Sequence, residues 1–343
     1  MAAPAPRTPR IACFGEILLR LGPAAPQPLW QGGPFDVHVG GAEANVAVTL
    51  AGFGDEAAII SAVPASDLGE IAIRHLRAAG VDCRAVLHAP GRMGLYFLES
   101  GAGMRSSAVI YDRAHSSFAA LAPGDIDWAA VLDDVDWFHL SGITPALGAT
   151  SAALALEGAR AARYRDIPVS FDGNYRPTLW AGREAEAPAI LHAVVAEANC
   201  LIGNHRDVAL LLGADFDPHR DDCAARAAAA AFAAFPFLSV IASTSRTIDS
   251  VGGTHSYRAR IDTRGAMVET GDIVIRDIVD RIGTGDAFAA GIIHGLVAGG
   301  RDFRVVADEA LALAALKHWM RGDSARITSA DIAAWQDGGD VRR

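Results

Sequence analysis

Short apolar runs recur along the chain, and longer stretches with helical spacing separate them. Ile11 to Leu19 reads as the first strand, with Glu16 interrupting it as a strand-end functional residue. Pro23, Pro26 and Pro28 exclude a regular helix, so the segment through Phe35 is an excursion before the next element. Ala57 to Val63 and Cys200 to Gly203 read as strands, and Asp67 to Ala79 as a helix stopped by Gly80. Val135 to Leu140 and Pro168 to Phe171 are continuous apolar runs, the pattern of strands buried on both faces. Helices expected over 148–165, 184–197, 205–212 and 222–234 alternate with such runs, which argues a parallel sheet covered on both sides. Gly94 to Glu99 and Ala108 to Tyr111, split by a Gly-rich turn, read as a hairpin. The expected fold class is α/β, with a doubly wound, mostly parallel central sheet.

Composition narrows this picture. At 343 residues and 51% hydrophobic content the chain can bury a large core, and one domain over 11–343 with an appendage is expected. Residues 1–10, rich in Pro and Ala without an apolar segment, read as a disordered tail. A net charge of −10 argues against nucleic acid or an anionic membrane as partner, and no apolar run reaches the length of a membrane span. Lys317 is the sole lysine. A P-loop and the strand lysine of protein kinases are thereby excluded. A Schiff-base mechanism would have only that residue, in a helical context. Cys13, Cys83, Cys200 and Cys223 show no metal or redox spacing, so a reducing, cytoplasmic setting is expected.

Candidate chemistry concentrates in Asp280-Arg281-Ile282-Gly283-Thr284-Gly285-Asp286, followed by a buried helix from Ala287 to Leu296. Gly283 and Gly285 let the backbone approach a ligand, and Asp286 falls at a helix N-terminus. Free N–H groups there suit an anion, and a carboxylate beside them can take a proton as negative charge develops. Gly40, Gly41 and Asn45 open a second small-residue helix, where Asn45 offers a donor and acceptors to hydroxyls. Asn174 and Arg176 follow a core strand directly, where ligands of doubly wound sheets bind.

These two glycine-led stretches resemble the signatures of the ribokinase-like, phosphofructokinase-B family of sugar kinases. The C-terminal signature, Asp-Thr-x-Gly-Ala-Gly-Asp, is matched at Asp280, Gly283, Gly285 and Asp286 and differs at Arg281 and Thr284. The N-terminal signature, Gly-Gly-x-x-x-Asn-x-Ala, is matched from Gly40 to Ala47. The resemblance covers about residues 11–335 and implies a ribokinase-like fold with a small β-stranded lid, built from about residues 20–36 and 94–113. It implies ATP and Mg²⁺ as cofactors, Asp286 as general base, and Gly283, Thr284 and Gly285 as phosphoryl-binding backbone. Asn204 and Asp207 fall where the family carries Asn-x-x-Glu; the resemblance puts Asn204 at the nucleotide and Asp207 on Mg²⁺ through water, against the plainer reading of an N-cap and a first-turn acid. Ser243 and Arg246 are the candidates for ATP contact in a stretch that differs from the family's, with only Gly252-Gly253 following. The helix bearing Lys317 is expected to pack beside the adenine.

Tyr96, Tyr111, Arg113 and Arg176, with their neighbours, resemble the 2-keto-3-deoxygluconate kinase branch, in which such residues hold the acid sugar. Two arginines beside hydroxyl-bearing aromatics suit a carboxylate plus a polyol. The implied reaction is phosphorylation of the terminal hydroxyl of 2-keto-3-deoxygluconate to its 6-phosphate. A kinase for a neutral sugar such as fructose or ribose is the alternative, and a non-catalytic sugar sensor a further one. A dinucleotide dehydrogenase is disfavoured, since Gly-x-Gly-x-x-Gly is missing after the first strand. Exposed lid edges make pairing of two chains an expectation.

Overall fold

The computed structural model describes residues 7–24, 27–101, 106–248 and 254–336. Its strands, in chain order, are β1 Arg10–Phe14, β2 Leu18–Pro23, β3 Phe35–Gly40, β4 Glu56–Val63, β5 Val86–His88, β6 Gly94–Glu99 and β7 Ala108–Asp112. They continue with β8 Trp137–Ser141, β9 Val169–Asp172, β10 Cys200–Ile202, β11 Val240–Ile248, β12 His255–Thr263, β13 Met267–Glu269 and β14 Ile273–Ile275. A ten-stranded sheet runs β13-β12-β11-β10-β9-β8-β1-β4-β5, with β14 also on β12, and a second sheet of four strands runs β3-β2-β6-β7.

From β11 to β5 every pairing in the large sheet is parallel. Side chains alternate across its plane, so β1 sends Ile11 and Cys13 into one apolar layer and Ala12 and Phe14 into the other. Helices Ala42–Phe53, Thr284–Val297 and Phe303–Lys317 contribute to the first layer; Ala149–Tyr164, Ala187–Val195 and Cys223–Ala234 contribute to the second. Phe14 packs edge-on to Trp128 and near Phe138, and burying such a ring contributes about 1.5–3 kcal/mol. The expected doubly wound α/β architecture is therefore present, and the expected hairpin is the antiparallel pair β6 and β7.

Three expectations are corrected. Ile11 to Leu19 is not one strand: β1 ends at Phe14, and the chain leaves the large sheet and resumes as β2 of the small one. Both stretches are buried, so the apolar pattern resumes at Ile17 after only Gly15 and Glu16 and gives no sign of the change of sheet. Gly15 is packed so closely that an added Cβ would lie 1.9 Å from Glu43 Oε2. The small sheet accordingly begins at Leu18 and includes Phe35–Gly40, a strand that the 20–36 boundary cuts short. Its second half, β6 and β7, lies within 94–113. The expected disordered tail also reaches too far, since residues 7–10 are described. Arg10 starts β1, its N–H donates to Asp136 Oδ2 at 2.7 Å, and Arg7 pairs with the same carboxylate.

The stretch that departs from the family folds as two long antiparallel strands, β11 and β12, registered from Val240 opposite Thr263 to Ile248 opposite His255. His255, Tyr257, Ala259 and Ile261 are buried while the residues between them are less so, a period of two. Gly252-Gly253 lie outside the described residues.

Candidate active site

A cleft of about 1640 Å³ lies beyond the carboxyl ends of β9 and β10, where Asp172 and Ile202 reach it. Leu18, Tyr96, Leu98, Val109 and Tyr111 of the small sheet form another wall, and the start of helix Thr284–Val297 forms a third. This is the crevice at which open α/β sheets take ligands.

Gly283 is the N-cap of that helix, with φ +80°, and an added Cβ would sit 1.7 Å from the Asp323 carbonyl oxygen. Only glycine meets both conditions. Thr284, Gly285 and Asp286 then occupy the first helical turn, whose N–H groups have no partner four residues back. At Gly285 an added Cβ would meet no atom within 4 Å, so the helix start opens onto the cleft. Asn45 Nδ2 donates to Asp286 Oδ2 at 2.7 Å, which joins the two glycine-led helices at the acid. Burial pushes the Asp286 carboxyl up to about 6, while the Asn45 hydrogen bond and the charge of Arg176 pull the other way.

Other acids crowd the same place. Burial, followed by the charges of Asp286 and Asp207, holds Asp172 well above the carboxylate range. Asp207 is raised by burial, and Glu43, enclosed in the helix after Gly41, is raised by burial to about 7. The arrangement can bind an anion at the helix start and accept a proton beside it, in a partly desolvated setting.

Most sequence candidates meet here. Gly41, Asn45, Tyr96, Tyr111, Arg113, Asn174, Arg176, Asn204, Asp207, Ser243, Arg246, Gly283, Thr284, Gly285 and Asp286 all line the cleft. Gly40 lies behind the wall, where an added Cβ would fall 2.1 Å from Asp323 Oδ2. Asn174 adopts φ +39°, a turn conformation that asparagine tolerates. Asn204 and Asp207 form a capping box: Asn204 Oδ1 accepts from Arg206 N–H, and Asp207 Oδ2 accepts from Asn204 N–H at 2.8 Å. The plainer reading of these two is thus realised, and both still face the cleft.

Arg113 does not stand free. Its Nε and Nη2 donate to Glu16 Oε2, and both residues are buried. Arg176 is exposed, and its guanidinium makes no hydrogen bond or ion pair with another of the described residues. The pair expected to close on one carboxylate therefore consists of one neutralised and one unpaired guanidinium.

Sequence reasoning gave no role to Arg20, Asp323 or Asp172, and matched Asp280 only as part of a signature. Arg20 Nη2 donates to Asp280 Oδ2 at 2.7 Å, its Nη1 lies 3.0 Å from Asp323 Oδ1, and the Tyr96 hydroxyl donates to Asp323 Oδ2. Lys317 is fully buried beside them with its Nζ donating to Met320 O at 3.0 Å. Burial lowers its pKa, and the charges of Asp280 and Asp323 oppose that. Asp323 carries a signal in retrospect, as an acid directly after a glycine in Arg321-Gly322-Asp323.

Comparison with known proteins agrees with this geometry. The description "pfkB family carbohydrate kinase" matches residues 8–326, and the chain belongs to that family. It is 31% identical over 334 residues to 2-dehydro-3-deoxygalactonokinase from Haloferax volcanii, covering 97% of this chain and 98% of the relative. It is 28% identical over 327 residues to 2-dehydro-3-deoxygluconokinase from Thermoproteus tenax, covering 93% and 91%. The crystal structure of 2-dehydro-3-deoxygluconokinase from Thermotoga maritima superposes with a TM-score of 0.90 at 34% identity, covering 96% of this chain and 100% of that one. The fold is ribokinase-like and the protein is a carbohydrate kinase.

The Asn45 contact supplies a direct check. Removing a hydrogen bond that favours the ionised acid raises its pKa, so Asn45→Ala should move Asp286 upward from about 6. Carbon-13 NMR of labelled aspartate carboxyls reads the shift, and an unchanged or lowered value contradicts the geometry.

Proposed function

We propose that this carbohydrate kinase phosphorylates the terminal hydroxyl of an acid sugar, 2-keto-3-deoxygluconate, to the 6-phosphate. The observation that carries the acid-sugar reading is Arg176, an unpaired guanidinium on the cleft wall. A carboxylate can take two parallel hydrogen bonds from such a group. Relatives named for 2-dehydro-3-deoxy acid sugars, at full-length coverage, support it.

In the proposed mechanism Asp286 accepts the proton of the terminal hydroxyl, which Asn45 helps to orient by holding the carboxylate. Backbone N–H groups of Gly283, Thr284 and Gly285 stabilise negative charge at the helix start. ATP would supply the phosphoryl group and leave as ADP, and Mg²⁺ when bound would neutralise the phosphates. No cluster of three metal-binding side chains occurs among the described residues. Mg²⁺ would keep several waters and use one or two carboxylates with substrate phosphates, with Asp207 reaching it through water. Asn204, Ser243 and Arg246 line the same cleft, and the proposal gives them the nucleotide. Tyr96, Tyr111 and Asn174 face the sugar, and the small sheet keeps out the water that competes as acceptor.

One observation favours a second reading. Glu16 neutralises Arg113, which lowers the positive charge available to a carboxylate and suits a neutral sugar such as fructose. The two readings separate on Arg176. A charge-assisted hydrogen bond contributes roughly 1.5–3 kcal/mol, so Arg176→Met should raise KM for 2-keto-3-deoxygluconate by about 10- to 150-fold. Arg176→Lys should recover part of that loss, because the ammonium lacks the planar fork. A ratio of kcat/KM for acid sugar over fructose that is already near one, or that survives the substitution, transfers the assignment to the neutral-sugar kinase.

The general base has its own test. With a pKa of about 6, Asp286 is the free base above that pH and is lost as pH falls, so kcat/KM should hold above pH 6 and drop below it. Asp286→Asn should lower kcat by roughly 10²-fold or more and remove that limb. Near wild-type turnover in the variant rules Asp286 out as the base.

A further inference from the structure

A group of charges at the cleft wall and just behind it connects two parts of the fold. Arg20 on β2 and Tyr96 on β6 are direct neighbours in register, and both reach out of the small sheet to carboxylates of the main domain. Asp280 receives Arg20, and its Oδ1 and Oδ2 also accept from Ile282 N–H and Gly322 N–H at 3.0 and 3.1 Å. Three residues after Asp280, Gly283 presses against the Asp323 carbonyl. The loop that opens the anion-binding helix is thus held between Asp280 and Asp323, and Arg20 touches both acids. Arg20 is only 4% exposed and is not on the cleft wall, whereas Tyr96, Asp280 and Asp323 are.

We propose that Arg20 is a positioning residue for phosphoryl transfer. It fixes the small sheet, which bears one wall of the sugar site, to the 280–286 loop, which bears the phosphoryl site and Asp286. Without its charge, Asp280 and Asp323 are two largely enclosed acids 43 positions apart in sequence that keep Lys317 near them, and the wall and the loop lose their common anchor. Two errors follow. The hydroxyl and the phosphoryl group meet less often in line. Water gains access to the anion site while no sugar is placed. The inference rests on the kinase reading above, but on transfer to a sugar and not on which sugar.

The test measures kcat and KM with the acceptor that the wild type uses best, ADP released per sugar phosphate formed, and Tm. Arg20→Met should lower kcat by roughly 10- to 100-fold, a loss of the size that misplacement of reacting groups produces, with KM for the sugar changed by less than about threefold. The ratio of ADP to sugar phosphate should rise above that of the wild type, and Arg20→Lys should restore part of both. Because a lone buried charge lowers stability, Arg20→Met/Asp280→Asn is measured beside it. That double variant should regain Tm without regaining kcat or the ratio. The inference is overturned if folded Arg20→Met stays within about twofold of wild type in kcat and ratio. It is also overturned if the double variant recovers activity together with Tm, and the double variant decides alone when Arg20→Met does not fold. A wild type that phosphorylates no sugar overturns the proposed function and this inference with it; failure confined to the variants overturns this inference alone.

Discussion

The Asp280 carboxylate accepts from Ile282 N–H in its own loop, from Gly322 N–H after helix Phe303–Lys317, and from Arg20 of the small sheet. Three segments that are remote in sequence converge on one largely enclosed charge, and the 280–286 segment takes its shape from that convergence. Burying a carboxylate is costly unless it is paired and hydrogen-bonded, and Asp280 has both kinds of partner. Gly283 depends on the same arrangement, since its left-handed backbone fits against the Asp323 carbonyl without room for a methyl group. The position of Asp286, three residues on, is a consequence.

The cleft collects more acid than it balances locally. Asp172, Asp207 and Asp286 are all raised from the ordinary aspartate value, with burial as the first cause in each case. Such crowding is unfavourable in the empty protein, because like charges raise one another's pKa and desolvation adds to it. It suits a site that takes up a cation along with phosphates, and it tunes one acid toward neutrality, where a general base works best. Arg176 at the rim is the basic counterpart that a carboxylate substrate would engage.

Where an interaction is local, the sequence announced it. Gly283, Gly285 and Asp286 mark a helix start because glycine and a first-turn acid belong to that geometry, and the buried run after them completes the pattern. Asn45 and Asp286 lie 241 positions apart, yet both sit in glycine-led stretches and meet as those stretches imply. The contacts that escaped notice have no such mark. Arg20 and Asp280 are 260 positions apart, and each by itself looks like an ordinary polar residue at the end of an apolar run. Pairing of Arg113 with Glu16 was equally hidden, as an arginine's partner cannot be read from its neighbours in the chain. The change of sheet between Phe14 and Leu18 was masked for a different reason, since both sides of it are buried and only Gly15 and Glu16 part the two apolar runs.

Transfer of phosphate to the terminal oxygen of an acid sugar is displayed most directly by its product. The protein is incubated with ATP, Mg²⁺ and an equal mixture of 2-keto-3-deoxygluconate, fructose and ribose, and the esters formed are resolved by phosphorus–proton correlation NMR. The account predicts one dominant monoester, its phosphorus coupled to the terminal methylene protons of the 2-keto-3-deoxy acid. A product formed mainly on fructose or ribose, or a phosphorus coupled to a ring or chain methine of the acid sugar, would contradict it.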